Sequence, residues 1–406
     1  MSYETAIQAT VAAIRPADRA AMAQARARQD SLAKPPRSLG VLEELSIRLA
    51  GMTGQIHNTV ERRRIVVFCA DNGVCAEGVS SAPQSVTLAQ TVNLTRGITG
   101  ASALAKHFGD ELTVVDVGVD AALACPAVVD RKVARGTKNM LREPAMTRLQ
   151  ALQAMTAGVE QACIAKGEGI RLLGLGEMGI GNTTTSSAVL AALLNRPPEQ
   201  VTGRGGGLLD AAFLHKKQVI RRALELHAPD PGDPIDVLAK VGGFDLCAMC
   251  GAFLGAAAER LPVVIDGFIA AVAAVCAARL CPAAADYMIP SHASFEPGFR
   301  LAMEALGLRP YLLLEMRLGE GSGCPLAFLT VEAACAVMNE MGTFQQAAID
   351  DGYLTDIRKG DAFSVSQEES ACGAFFPAAR KTENPCWLSG CAGGFRAAGR
   401  FIIWPR

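Results

Sequence analysis

The chain is short of aromatic residues, of unbalanced charge and of long apolar runs. Aromatics make up only 5% of its 406 residues, with four Tyr and two Trp, so a core has to be built mainly from Ala, Leu, Val and Ile. Lys plus Arg (39) nearly cancels Asp plus Glu (40). A net charge of −1 gives no general field to steer the chain onto nucleic acid. The longest uncharged apolar run, Gly267 to Ala278, is far shorter than the roughly 20 residues of a membrane span. The N-terminus, MSYETAIQAT, carries Glu4 early and no basic stretch leading into an apolar one. No secretory signal is therefore expected, and the expected setting is cytoplasmic.

Metal and redox signals are equally thin. Thirteen cysteines is an odd number without regular spacing, which reads as small buried hydrophobes in a reducing compartment. Cys247 and Cys250 form a C-x-x-C pair, but no second pair or His cluster completes a site, and the apolar residues around them read as helix. No metal and no cofactor are expected. His57, His107, His215, His227 and His292 are scattered; of these, His292 is the one placed to face a site.

What is present is an alternation. With 50% hydrophobic and 19% charged residues the chain can bury a large core. Helical patterns fill residues 1–60, with Leu42, Leu45 and Leu49 at amphipathic spacing. Strand-like runs follow at Ile65–Ala70, Leu112–Gly118, Ile170–Leu175, Pro262–Asp266 and Tyr311–Leu318, separated by Ala-rich helical stretches. Continuous apolar strands between helices predict an α/β fold, a parallel sheet with helices on both faces. In such sheets ligands bind beyond the carboxyl ends of the strands. The segments to examine are then Asp71-Asn-Gly, Gly176-Glu-Met-Gly-Ile-Gly-Asn, Asp266-Gly and Gly319-Glu-Gly-Ser-Gly.

Three glycine-rich segments carry the chemistry. Gly174-Leu-Gly176-Glu-Met-Gly179 fits G-x-G-x-x-G, which keeps an NAD-dependent Rossmann oxidoreductase open as an alternative. Against it, the motif begins about 170 residues into the chain. Glu177 also stands where a pyrophosphate would need bare backbone, and no strand ending in an acid follows at the usual distance. The continuation Ile180-Gly-Asn-Thr-Thr-Thr-Ser-Ser reads better as a polar helix start able to hold one phosphate or a ribose. Thr202-Gly-Arg-Gly-Gly-Gly207 precedes a helix bearing His215-Lys216-Lys217; its amides can surround an anion and a lysine can add charge. It is not a triphosphate P-loop. Arg317-Leu-Gly-Glu320-Gly-Ser-Gly sets one carboxylate among residues with little bulk, an arrangement that suits a general base facing a pocket.

Seven segments in register resemble one family closely, the nicotinate-nucleotide–dimethylbenzimidazole phosphoribosyltransferases of cobalamin lower-ligand assembly. They are Lys34-Pro-Pro-Arg-Ser-Leu-Gly40, Ala70-Asp-Asn-Gly-Val-Cys-Ala-Glu-Gly-Val-Ser80, Gly176-Glu-Met-Gly-Ile-Gly-Asn-Thr-Thr184, Gly203-Arg-Gly, Gly242-Gly-Phe-Asp245, Pro290-Ser-His-Ala-Ser294 and Leu318-Gly-Glu-Gly-Ser-Gly323. The resemblance spans about residues 5–350. One departure is Arg37, where the family more often shows glycine; it is not expected to touch the chemistry.

The resemblance implies transfer of the phosphoribosyl group of nicotinate mononucleotide onto 5,6-dimethylbenzimidazole. It implies Glu320 as general base and Glu177 as a second active-site carboxylate. It implies Ser80, Ser81, Gln90, Met178 and Leu318 around the benzimidazole. Gly176, Asn182, Thr183, Gly205, Lys216, Asp266 and Ser294 fall near the phosphate and ribose. It further implies a Rossmann-like sheet, a homodimer, and a small helical domain built from both chain ends. The expected division is residues 1–60 and 326–350 for the small domain, 61–325 for the catalytic domain, and an atypical extension over 351–406. A non-catalytic nucleotide- or benzimidazole-binding protein is a further alternative. The extension holds both tryptophans, Trp387 and Trp404, so the scarcity of aromatics is a property of the catalytic body.

Overall fold

Six strands form one sheet: β1 (Arg63–Ala70), β2 (Glu111–Gly118), β3 (Val128–Asp130), β4 (Leu172–Met178), β5 (Val263–Ile265) and β6 (Met288–Pro290). The structure, a computed structural model, describes residues 2–355. Every neighbouring pair of strands is parallel, and the order is β3-β2-β1-β4-β5-β6. This is the order of a doubly wound Rossmann sheet, in which the switch point lies between the first and fourth strands. The central strands are buried along nearly their whole length, β4 at every residue and β1 from Ile65 to Ala70. That burial is why they read as apolar runs without alternation.

Four of the five sequence-predicted strands are present. The fifth, Tyr311–Leu318, is irregular: only Leu312 makes a bridge, to His292. Tyr311 packs against the core, but Leu313, Leu314 and Leu318 are exposed. The last strand of the sheet is β6.

Helices cover the sheet, and two of them approach unusually closely. Helix Phe244–Ala258 is buried at every position from Phe244 to Ala257. It packs against helix Arg148–Gly167 through glycines: a Cβ on Gly158 would lie 1.8 Å from the Ala248 carbonyl oxygen, and one on Gly251 would lie 1.9 Å from that of Met155. Cys247 and Cys250 lie inside this helix, buried and free.

The two ends of the compact unit, which runs to Gly352, meet each other. Ala21 and Ala25, Ile47 and Ala50, and Met338 form a separate small cluster. They come from helices Arg19–Ser31, Val41–Thr53 and Cys324–Glu340 respectively. Ala33 N–H donates to Gly342 O (2.9 Å) and Phe344 N–H to Ser31 O (3.1 Å). Residues 356–406, most of the expected extension, lie outside the described residues.

Candidate active site

Beyond the carboxyl ends of β1, β4 and β5 lies a cavity of about 290 Å³. Its wall includes Ser80, Ser81, Gln90, Glu177, Met178, Asn182, Thr183, Gly205, Asp266, His292, Ser294, Leu318 and Glu320. Of the residues expected at the site, Gly176 and Lys216 stand behind this wall. Gly176 lies under the Glu320 loop, and a Cβ there would meet Gly321 N at 2.4 Å.

Glu320 occupies a tight left-handed turn. Gly319, Glu320 and Gly321 all have positive φ (84°, 63° and 85°). For glutamate this is a strained conformation of the kind stored at functional sites. Asp266, at the end of β5, holds the turn: its Oδ2 accepts from Gly321 N–H (3.0 Å) and its Oδ1 from Gly323 N–H (2.6 Å). Burial pushes the Asp266 carboxyl up to about 7. Asp266 thus lines the cavity, but its two oxygens are engaged by the loop that carries Glu320.

The Glu320 carboxylate is fixed from two sides. Oε2 accepts the Ala101 amide (3.2 Å), at the start of helix Gly100–Phe108. Oε1 accepts Gln90 Nε2 (3.3 Å). Gln90 is oriented for this by Asn93 Nδ2, which donates to its Oε1 (3.0 Å). Gln90 therefore bonds the candidate base directly. Glu177, the penultimate residue of β4, accepts the Glu320 amide at 3.4 Å. It is buried, and loss of water, with the nearby Asp245 next in weight, pushes its carboxyl well above the usual range.

A glycine loop at Gly205 and Gly206 forms another part of the wall. Gly205, at φ 56°, sits in the loop before helix Asp210–His227. Lys216, on that helix, is fully buried, and its Nζ donates to Thr183 Oγ1 (2.8 Å) and Gly203 O (3.2 Å). Burial lowers the Lys216 ammonium to about 8. Glu296, which the sequence reading missed, lines the same wall and accepts the Gly205 amide on Oε1 (2.9 Å). Its signal was the Glu296-Pro297 pair, a carboxylate at a helix start two residues beyond Pro290-Ser-His-Ala-Ser294. Ile269, Phe268 and Val86 add apolar wall that the sequence reading also passed over.

The G-x-G-x-x-G glycines serve internal packing. A Cβ on Gly174 would meet Cys324 Cβ at 2.7 Å, and one on Gly179 would lie 2.3 Å from Ala70 O. With Gly176 under the Glu320 turn, all three lie against the chain's own atoms, and Gly179 also lines the cavity. Among the described residues there is no group of three or more His, Cys, Asp or Glu side chains placed to hold a metal ion.

A cavity at the switch point, walled by a glycine loop and a fixed carboxylate, sits in a chain whose residues 14–349 match the phosphoribosyltransferase family model. A nicotinate-nucleotide–dimethylbenzimidazole phosphoribosyltransferase of Ruminiclostridium cellulolyticum is 50% identical over 350 residues, 86% of this chain and 98% of the relative. One of Clostridium perfringens is 49% identical over 342 residues, 84% and 95% of the two chains. The crystal structure of CobT from Thermus thermophilus superposes with a TM-score of 0.79 at 44% identity, covering 82% of this chain and 99% of that one. The chain belongs to the nicotinate-nucleotide–dimethylbenzimidazole phosphoribosyltransferase family.

Proposed function

We propose that this enzyme transfers the 5-phosphoribosyl group of nicotinate mononucleotide to 5,6-dimethylbenzimidazole, giving α-ribazole 5′-phosphate and nicotinate, with Glu320 as general base and inversion at the anomeric carbon. The observation that carries the mechanism is the fixed Glu320 carboxylate on the wall of a cavity also lined by Gly205 and by Thr183, the latter backed by Lys216.

The leaving ring is already a pyridinium and departs neutral, so no acid is needed to protonate it. Attack by one benzimidazole nitrogen makes the acceptor cationic unless the other nitrogen sheds its proton. A carboxylate beside that N–H takes it, a contribution typically worth about 10²–10⁴-fold. Glu320 does this, with Gln90 and the Ala101 amide keeping its oxygens aimed. Met178, Leu318, Ser80 and Ser81 flank the base. Thr183, Gly205 and Ser294, backed by Lys216, take the phosphate and ribose. Burial, with Asp245 next in weight, raises the Glu177 carboxyl well above its usual range while the site is empty. A cationic donor beside it favours its ionised form, which then stabilises positive charge developing on the ribose.

In this reading the terminal helices form a small domain and two copies associate in the cytoplasm. The exposed Phe295, Leu313, Leu314 and Leu318 support such a partner copy. Among the described residues, no helix is long and apolar enough to cross a membrane.

The decisive experiment follows nicotinate release from nicotinate mononucleotide against a panel of bases, with the wild type and Glu320→Gln. Dimethylbenzimidazole-dependent release by the wild type, cut by about 10²-fold or more in a folded Glu320→Gln variant, is expected. A variant with wild-type kcat would sink the general-base assignment.

A further inference from the structure

The segment Gly242-Gly-Phe-Asp245 stands out in the sequence, yet no step above uses it. Asp245 is the second residue of helix Phe244–Ala258 and is fully buried. Its Oδ1 accepts the Leu246 amide (2.9 Å). Its Oδ2 turns away from that helix and accepts Asn182 Nδ2 (3.0 Å), at the start of helix Asn182–Leu194. The same Nδ2 donates to Glu177 Oε2. Both amide hydrogens of Asn182 are thus spent on two carboxyl groups from two other elements. Asn182 lines the cavity, and the only polar side-chain atom it has left for a ligand is Oδ1.

The surrounding glycines make room for this arrangement. A Cβ on Gly243 would lie 2.4 Å from Asp245 Oδ1, and one on Gly179 would lie 3.0 Å from Asp245 Oδ2. A carboxylate in a first helical turn ordinarily needs no further reason than the helix dipole. One that spends its second oxygen on another helix's active-site amide is placed for more than that.

We propose that Asp245 is a positioning residue that acts through Asn182, holding the amide so that its carbonyl oxygen meets a ribose hydroxyl of the donor and coupling that contact to Glu177. The proposal rests on the reading that the ribose lies against Asn182 and Glu177.

The groups facing the Glu177–Asp245 pair are Asp71, Asp266, Glu320, Cys69 and Cys247, and no cation is among them. Burial pushes Asp245 up to about 6, and its charge in turn raises the Glu177 carboxyl further. Removing the Asp245 charge therefore moves ionisation of Glu177 to lower pH.

The test measures kcat, KM for each substrate and the pH profile for Asp245→Asn, Glu177→Gln and the double variant, with thermal unfolding of each. Expected for Asp245→Asn are a KM for nicotinate mononucleotide raised about tenfold, an unchanged KM for dimethylbenzimidazole and an acid limb of kcat/KM displaced to lower pH. The double variant should be little worse than Glu177→Gln alone. A lowered melting temperature with unchanged donor KM and pH profile would make Asp245 merely structural and overturn the proposal. So would single effects that multiply in the double variant. A Glu177→Gln enzyme of wild-type activity would instead remove the ribose placement beneath the proposal. Should Asp245→Asn not fold, Asn182→Ser reads the same contact, and an unaltered donor KM there overturns it.

Discussion

Gly176 lies directly beneath Glu320: a Cβ built on the glycine would come within 2.5 Å of both the carbonyl carbon and the carbonyl oxygen of the glutamate. The atoms it would strike are backbone, held by the Asp266 bonds to Gly321 and Gly323, so the turn must lift. Gly176→Ala is expected to destabilise the protein by about 1–3 kcal/mol. It should also lower kcat by far more than that loss of folded protein explains, because Glu320 leaves the Ala101 and Gln90 donors. Urea unfolding beside steady-state kinetics checks this; a destabilised enzyme with normal kcat would show that the turn need not sit where it does.

Lys216 supplies a buried charge behind Thr183. Lys216→Met should raise KM for nicotinate mononucleotide about 10- to 100-fold, the worth of one charge-assisted hydrogen bond, while KM for dimethylbenzimidazole stays put. Because its ammonium titrates near 8 in the empty site, donor KM in the wild type should climb as pH rises through 8. The methionine variant should lack that climb. Initial rates from about pH 6.5 to about 9.5, a window bracketing that titration, decide the matter.

His292 is buried, with Nδ1 3.1 Å from Ser291 Oγ, and burial lowers the ring to about 4 from an ordinary 6.5. A depressed folded-state value means that its contribution to stability is full above pH 6.5 and is lost as pH falls through 4. The loss amounts to about 3 kcal/mol at most. The raised carboxyls of Asp245 and Asp266 act in the opposite direction, so the wild type alone does not isolate the histidine. Denaturant midpoints of wild type and His292→Gln at about pH 7 and about pH 5 do. The variant should lose less on acidification.

Arg37 occupies the left-handed region at φ 59° in an exposed loop. Arg37→Gly is expected to stabilise the protein by about 1 kcal/mol, since glycine adopts the conformation without the Cβ penalty. Melting curves should show a small rise with unchanged kcat; a fall would mean that contacts of the arginine outweigh its backbone strain.

The central architecture was legible because β1, β2 and β4 are long and doubly buried, and so read as apolar runs. β3 and β6 escaped although β5, equally short, did not: β5 is buried at every residue and reads as an apolar run, whereas β3 ends exposed at Asp130. β6 contains Pro290, which argues against a strand except at an edge, where it lies. Tyr311–Leu318 misled because its leucines look like core but face outward. At the site, the segments could be picked out as polar interruptions after strands. The pairing of Asp266 with the Glu320 turn could not, because it joins residues 55 positions apart through backbone amides that carry no residue-specific signature. Glu296 and the bond from Gln90 to Glu320 escaped for the same reason: their partners are an amide and an acid far away in sequence.

The slot over Gly174 and Gly176 also bears on how the protein is made. It is filled by Glu320, Gly321, Cys324 and Phe328, all synthesised after the strand they cover. Until the ribosome has passed helix Cys324–Glu340, the most buried strand of the sheet has one face open to water. Nascent chains stalled before that point carry an uncovered apolar surface of the sort that draws chaperones and proteases. The segment bearing the candidate base is therefore also the one that covers Gly174 and Gly176, so this face of the sheet is closed only late in synthesis.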